Sequence, residues 1–424
     1  MFKNYIKIAY RSLAKNYGFT LINIFGLTFG ITCFIFIANW AWNEYNYDQF
    51  HAKSDRIYKV LTEMGVNAES TIVPYAPSSL TQLLKENVPE IANITRVFPR
   101  EVVFENNGLR ITENGIYADP SFLDIFSFSL TEGNAEAIFS KPNTVVISSA
   151  LAEKYFRGES ALGQTINVTY KDKEPYVVTG VLNENPNNSS LQFDFILPYQ
   201  PFEDKHRPWW KGTNKYSFSN YNVEVYLELV GDTDVKHMNT KLTNVLAAHS
   251  IAPGEDALFT FPFTSYYLND DFSDGRVPTG KSKYIKLLSL VAFLILLIAC
   301  INFINLYTAM MSNRVKEIGL RKVVGARKNQ VVFQFLAESV LISVISTLLA
   351  ITFVEVLSPA FELLSQKEVS LPYTSPIFLL LLFGGSIFIG VMAGLYPSLQ
   401  FSSADLITEV KTGASATLRK YLVV

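Results

Sequence analysis

Charge is scarce in this chain. Only 17% of its 424 residues are Asp, Glu, Lys or Arg, while 49% are hydrophobic; an average soluble domain carries about 25% charged residues. The shortfall argues against a wholly water-soluble protein. A net charge of −2 excludes the basic surface that nucleic-acid binding requires. Cysteine is almost absent, and both cysteines, Cys33 and Cys300, fall in apolar runs, so no disulfide can staple the polar part of the chain. The four histidines, His51, His206, His237 and His249, never stand at a metal-ligand spacing from one another or from a cysteine, and they read as surface residues. The acids are scattered, as on a solvated surface rather than in a paired-carboxylate site. The reading is therefore of a non-enzymatic chain with no cofactor and no metal.

Long apolar runs, by contrast, recur. Residues 19–42, 287–307, 336–357 and 377–395 each supply roughly the 20 apolar residues needed to cross about 30 Å of hydrocarbon. The near-neutral total also hides a split: residues 43–283 sum to −10 and the rest to +8, as expected if basic loops stay inside. Residues 1–18 hold Lys3, Lys7, Arg11 and Lys15 without an acid, which places the N-terminus inside. Phe2, Ile6, Ala9 and Leu13 recur there at helical spacing, predicting an amphipathic helix on the inner surface. A cleaved signal peptide is the competing reading of this end, but the apolar run is too long and no A-x-A site follows it. The expected architecture is a membrane protein of four transmembrane α-helices, with a large α+β extracytoplasmic domain inserted between helices 1 and 2.

In that domain, residues 43–283, the segments Thr144–Ser148, Thr165–Tyr170, Tyr176–Val181 and Tyr221–Val230 read as strands, and Ser78–Glu86 and Ser149–Phe156 as helices. The Asn, Pro and Ser cluster of Asn183–Ser190 reads as a loop that divides the domain into lobes. Trp209, Trp210, Tyr216 and Phe218 suit core packing better than a ligand surface. Gly275 to Ser282 fits the phosphate-loop pattern G-x-x-x-x-G-K-[ST] letter for letter. The mechanism of that pattern needs a buried strand before it and a helix N-terminus receiving phosphate after it. An acidic turn, Asn269–Asp274, precedes it and a membrane span follows, so no nucleotide site is expected.

Between the second and third spans, a short loop at 312–334 is rich in cations, including Arg314, Lys316, Arg321, Lys322, Arg327 and Lys328. Glu317 and Arg321 stand at i, i+4 in the favourable order for a helical ion pair, and Gly325 suits a helix stop. Ile318, Leu320, Val323 and Val324 lie among the charges, a pattern fitted to docking in a cytoplasmic partner's groove. Gly26 with Gly30, and Gly390 with Gly394, form G-x-x-x-G pairs that let helices approach closely. Glu338 and Glu355 fall in the third span, where ionisable groups usually face protein or water; Glu355, near a span end, is read as snorkelling.

Four stretches together resemble the MacB/FtsX-like permeases of ABC transporters. They are Tyr5–Asn16 leading into Phe25–Ile31; Tyr47–Tyr58; the run from Val145 through Ala152–Phe156, Leu162–Ile166 and Val178–Val181 to Asn188-Ser189 and Phe193-Asp194; and Glu317–Ala326 with Gly394-Leu-Tyr-Pro. The resemblance covers nearly the whole chain. It implies a MacB-like periplasmic core domain at 43–283 and an FtsX-like permease domain at 284–403, in a bacterial inner membrane. It also implies a separate cytoplasmic ABC ATPase, coupled through Glu317, Ile318, Gly319, Leu320, Arg321, Lys322, Gly325 and Ala326. ATP hydrolysis there would move the external domain for export or mechanotransmission of an antimicrobial peptide, macrolide, lipid or lipoprotein. The competing reading is a membrane-anchored regulator of cell-wall hydrolases, and a periplasmic adaptor or envelope protein is a further expected partner. Residues 404–424 end in Thr417-Leu-Arg-Lys-Tyr-Leu-Val-Val, a basic step followed by apolar residues. The chain therefore reads either as one subunit of a homodimer or as the first half of a longer two-repeat permease.

Overall fold

The computed structural model describes residues 9 and 11–403, apart from 66–69, 135–138, 140, 211–217, 251–253, 274–277, 279, 316, 318, 321–323, 325–327, 366, 368 and 370. The chain forms two compact units, Met1–Trp42 with Ile285–Val424, and Asn43–Tyr284.

The first unit holds four helices long and apolar enough to cross a membrane: Tyr17–Tyr45, Lys281–Ser312, Lys328–Ser365 and Pro376–Ser403. In lipid only a helix can satisfy its own backbone without water, and the uninterrupted apolar runs leave no alternative. Phe2 and Ile6 of the expected amphipathic helix lie outside the described residues; Ala9 and Leu13 are buried, Leu13 within the core of the helix unit. The helices are sewn together by small polar side chains that sequence reading passed over. Ser339, Ser343, Ser346 and Thr347 are all buried on one side of the third helix. Ser346 Oγ donates to the Ile24 carbonyl of the first helix and Thr28 Oγ1 donates back to the Ser346 carbonyl, both at 3.3 Å. Ser343 Oγ donates to the Ser386 carbonyl of the fourth helix at 2.7 Å. Such bonds contribute because hydrocarbon offers a hydroxyl no other partner.

The second unit is built on one mixed sheet. Its strands are β1 (Ile57–Met64), β2 (Thr71–Val73), β3 (Ala76–Pro77), β4 (Ile91–Asn106), β5 (Leu109–Ala118), β6 (Leu130–Gly133), β7 (Thr144–Ser148), β8 (Thr165–Thr169), β9 (Lys173–Leu182), β10 (Phe195–Pro198), β11 (Tyr221–Leu229) and β12 (Asp256–Pro262). The order along the sheet is β12-β1-β11-β4-β5-β10-β7-β9-β6. The expected strands and both expected helices are present, the helices as Leu80–Asn87 and Ser149–Phe156. Ser148 starts the latter by accepting the Leu151 N–H on its hydroxyl. The loop at 183–190 does not divide the domain into lobes. Strand β10, after the loop, inserts between β5 and β7, and β11 inserts between β1 and β4, so the two sequence halves interleave in one sheet.

The longest pairing, β4 with β5, closes through Asn107 and Gly108, both at positive φ (+49° and +78°). That is the Asn-Gly pair a two-residue hairpin demands. Helices Leu80–Asn87 and Val235–His249 pack on each other and on β4 and β12 respectively, over a core that includes Phe98, Phe104, Phe195, Leu197 and Leu242. Trp210 and Phe218 join this core, whereas Trp209 is exposed and Tyr216 lies outside the described residues.

Two surface readings are overturned here. His51 is buried, ringed by Phe50, Phe126, Phe128 and Phe263 with centroids 4.0 to 5.7 Å away. Several acids are buried and paired rather than solvated: Glu203 with Arg96, Glu228 with Lys53, and Glu113 with Lys154. Scattered spacing in sequence concealed them, because the two partners of each pair lie far apart along the chain.

Candidate functional site

The second membrane helix ends at Ser312 and the chain turns at Asn313 and Arg314, where the Arg314 N–H donates to the Met311 carbonyl at 2.9 Å. Arg314 folds its side chain back onto the third helix. Its Nη1 lies 2.8 Å from Glu338 Oε2, and its Nε 3.6 Å from Glu317. Glu338 is wholly buried, and its other oxygen accepts a hydrogen bond from Gln334 Nε2 at 3.0 Å. One turn away, Tyr307 donates its hydroxyl to the Phe335 carbonyl at 2.8 Å. The end of the second helix and the start of the third are thus pinned by an ion pair and a hydrogen bond, both shielded from solvent. A carboxylate in that setting stays charged only with a cation in contact. Sequence reading flagged Glu338 but missed Arg314 as its partner; the available signal was that a buried span acid needs a nearby cation, and Arg314 is close in the chain.

Beyond the pin, Glu317, Gly319 and Leu320 are helical, and the Val324 N–H donates to the Leu320 carbonyl at 3.1 Å. Leu320 is 68% exposed and Val324 88%. Ile318, Arg321, Lys322, Gly325 and Ala326 lie outside the described residues, and with Arg321 the expected Glu317–Arg321 pair does too. Glu317 faces Arg314 instead.

The four glycines singled out from sequence sit where helices come close. A Cβ on Gly30 would collide with the Ala299 side chain of the second helix, and one on Gly26 would stand 3.4 Å from Asn302 Nδ2. On the fourth helix, a Cβ on Gly390 would lie 2.6 Å from Val340 Cα, and one on Gly394 would collide with Ser339 Oγ. Glu355 is hydrogen-bonded by the Tyr373 hydroxyl.

In the phosphate-loop lookalike, residues 275–277 and 279 are outside the described set. Lys281 Nζ sits 3.7 Å from the Tyr267 ring centroid, Ser282 donates to Asn269 Oδ1 at 2.6 Å, and the Asp270 carboxylate crowds Gly280. These groups are engaged in holding a turn, with an anion beside them.

The sheet unit carries a second polar hub. Arg96 forks onto Asp119 through Nε and Nη2, at 2.8 and 2.7 Å, and reaches Glu203 through Nη1 at 3.1 Å. Its guanidinium lies 4.3 Å from the Tyr199 ring centroid. The Tyr199 hydroxyl is pushed well above its ordinary range, by burial first and then by the Glu203 charge. Among the described residues, no three His, Cys, Asp or Glu side chains converge to hold a metal ion.

The MacB-like periplasmic core domain family matches residues 20–245, and the FtsX-like permease C-terminal family matches residues 289–406. The macrolide export ATP-binding/permease protein MacB of Bdellovibrio bacteriovorus is 27% identical over 63% of this chain and 38% of its own length. MacB of Escherichia coli K12 is 24% identical over 95% of this chain and 60% of its own length. The chain therefore spans less than two thirds of either relative. An uncharacterized ABC transporter permease of Bacillus subtilis, YvrN, is 22% identical over 96% of this chain and 99% of its own. Among solved structures, a domain of a putative permease protein from Porphyromonas gingivalis aligns at TM-score 0.41 with 22% identity, over 50% of this chain and 92% of that one. Four membrane helices, an α+β unit after the first of them and both family matches lead to one assignment: the chain belongs to the MacB-like periplasmic core domain family and is an ABC transporter permease of the MacB/FtsX type.

Proposed function

We propose that this permease is driven by a separate cytoplasmic ABC ATPase that docks on Glu317–Ala326 and moves the second and third membrane helices together. The motion is delivered to the periplasmic-type unit for export or mechanotransmission, with the N-terminus and the docking stretch inside and residues 43–283 outside. The observation that carries this reading is the Arg314–Glu338 pair. A docking segment transmits force only if its base is rigid, and a buried, charge-assisted bond is stiffer than a solvated loop. Exposed Leu320 and Val324 supply the apolar contact that a partner's groove would cover. Gly26, Gly30, Gly390 and Gly394 act in this scheme as packing seams that keep the moving helices in register.

The test is to purify the full chain from its own membranes and assay vanadate-sensitive ATP hydrolysis in the complex. Leu320→Asp and Val324→Asp should each lower the associated activity about tenfold, the effect of losing about 1.4 kcal/mol of binding, with thermal stability unchanged. A chain that carries no ATPase, or variants that retain it fully, would sink the proposal.

A further inference from the structure

A cavity of about 240 Å³ opens in the sheet unit between the end of β5, the turn joining β8 to β9, and the helix Tyr199–His206. Its walls include the rings of Tyr117, Tyr170, Tyr176, Phe202 and His206. Between ring centroids, Phe202 stands 4.2 Å from Tyr117 and 5.3 Å from Tyr170, and His206 5.3 Å from Tyr170. At about 30 Å³ each, roughly eight waters would fill the space, but aromatic faces give them few partners, and a ligand that displaces such water gains affinity.

Tyr117 is the informative wall. It is only 3% exposed, yet its hydroxyl has no hydrogen-bond partner among the described residues. A buried tyrosine ordinarily finds one. Its oxygen is not sealed in the packing, as the orphan carboxamide of Asn222 is, and so opens into the cavity. Burial first, and then Tyr176 and Tyr170, push this hydroxyl well above its ordinary range and keep it neutral. The Tyr176 hydroxyl is likewise unpartnered among the described residues. That of Tyr170 accepts from Arg207 Nη2 at 3.2 Å, which leaves its own proton to donate.

Charge at the mouth is balanced. Lys205 pairs with Glu174 and lies 3.5 Å from Asp172. Burial, then Lys205 and Lys171, hold His206 below the ordinary imidazole range, with Asp172 pulling the other way. A cation entering here meets the same bases, and an anion meets the two acids. A neutral ligand meets neither penalty. The rings ask for an apolar face, and the unpartnered hydroxyls ask for polar groups at its edge. A pyranose carries both, with C–H groups on its faces and hydroxyls around its rim.

We propose that this cavity binds one neutral sugar ring, stacked on the aromatic walls and hydrogen-bonded by Tyr117 and Tyr176. The volume admits a single ring, so a longer glycan would enter by its end residue. The proposal goes beyond the permease reading, and its test needs no ATPase.

The full chain is reconstituted in lipid nanodiscs free of sugar-based detergent and probed by saturation-transfer NMR. The probes are methyl β-glucopyranoside, methyl β-galactopyranoside and N-acetylglucosamine, with tetramethylammonium and p-cresol as the rival cation and aromatic. At least one sugar should receive transfer at its ring C–H protons. Tyr117→Phe and Tyr176→Phe should each weaken its binding about fivefold to tenfold, the range of one neutral hydrogen bond, while Tyr75→Phe, which does not line the cavity, should not. Transfer to no sugar, binding of a rival alone, or affinity unchanged in both cavity variants would each overturn the proposal. On the unaltered chain, tetranitromethane labelling of Tyr176, read by peptide mass spectrometry, should slow several-fold with saturating sugar, and labelling of the exposed Tyr75 should not. Equal labelling of Tyr176 with and without sugar would place the binding elsewhere and sink the assignment.

Discussion

Glu338 and Arg314 form a charge pair in which the acid is wholly buried inside a membrane helix and the base reaches it, at 2.8 Å, from the turn that ends the preceding helix. The pair closes the stretch between the two helices at its root. Removing Arg314 alone strands a carboxylate away from water, which costs about 3–5 kcal/mol. Arg314→Ala should therefore melt well below the parent in detergent, and Arg314→Gln with Glu338→Gln should recover most of the loss. Equal melting of the single and double variants would mean that the pair does not hold the turn.

A second buried acid predicts a pH response whose two halves cancel. Asp48 is wholly buried; its Oδ1 accepts the Ser190 N–H at 2.7 Å, while its Oδ2 has no partner among the described residues. Burial raises its pKa from 3.8 to about 6, outweighing the Ser190 bonds. His51, three residues on, is lowered from 6.5 to about 4 by burial. Asp48 thus contributes stability that is full below pH 3.8 and lost as pH rises through about 6. His51 contributes stability that is present above pH 6.5 and lost as pH falls through about 4. Between pH 4 and 6 the unfolded chain keeps the proton on the imidazole and the folded chain keeps it on the carboxylate, so the net slope from this pair is near zero. Asp48→Asn should unmask a loss on acidification approaching 1.4 kcal/mol per pH unit, and His51→Gln a gain of the same order. Melting curves between pH 4 and 6.5 would show it; parallel slopes in the two variants would refute the assignment.

Glycine tolerance should differ within one helix. Gly390→Val meets Val340 Cα, whereas Gly384 has open space around its missing Cβ. Overpacking costs about 1–3 kcal/mol, so Gly390→Val should lower the melting temperature, whereas Gly384→Ala, which replaces a helix-interior glycine without a clash, should hold or slightly raise it.

Arg96 tests the sheet unit. Its planar fork holds Asp119 with two bonds while a third nitrogen serves Glu203, a geometry that lysine cannot reproduce. Arg96→Lys should destabilise by about 1.5–3 kcal/mol, the scale of a lost hydrogen bond to a charged group. A Lys variant as stable as the parent in chemical denaturation would show that charge alone suffices.

The four spans and the α+β character were legible because each rests on a local pattern, an unbroken apolar run or a short β-branched segment. Sheet order was not, because it depends on which strands find each other across the chain. Local signals were also left unused: Asn107-Gly108 marks the β4–β5 hairpin, and the recurrence of Ser339, Ser343, Ser346 and Thr347 at helical spacing marks a packed helix face. His51 reads as a surface residue by composition, and only the four phenylalanines assembled around it make it a buried one. At the loop, Glu338 was noticed as an oddity while Arg314 passed as one cation among many, since neither burial nor direction can be read from a charge count.

The interleaving of the sheet also sets a timetable. Strand β1 leaves the ribosome soon after the first membrane helix, yet one partner strand is β11, with Ile57 opposite Glu228 about 170 residues later, and its other neighbour is β12. The end of β1, Thr62–Met64, pairs early with β2, but at about 5–20 residues per second the rest of β1 waits on the order of ten to thirty seconds for β11 and β12. Newly made chains are therefore most vulnerable to aggregation and proteolysis after the first helix has inserted and before the second has been synthesised.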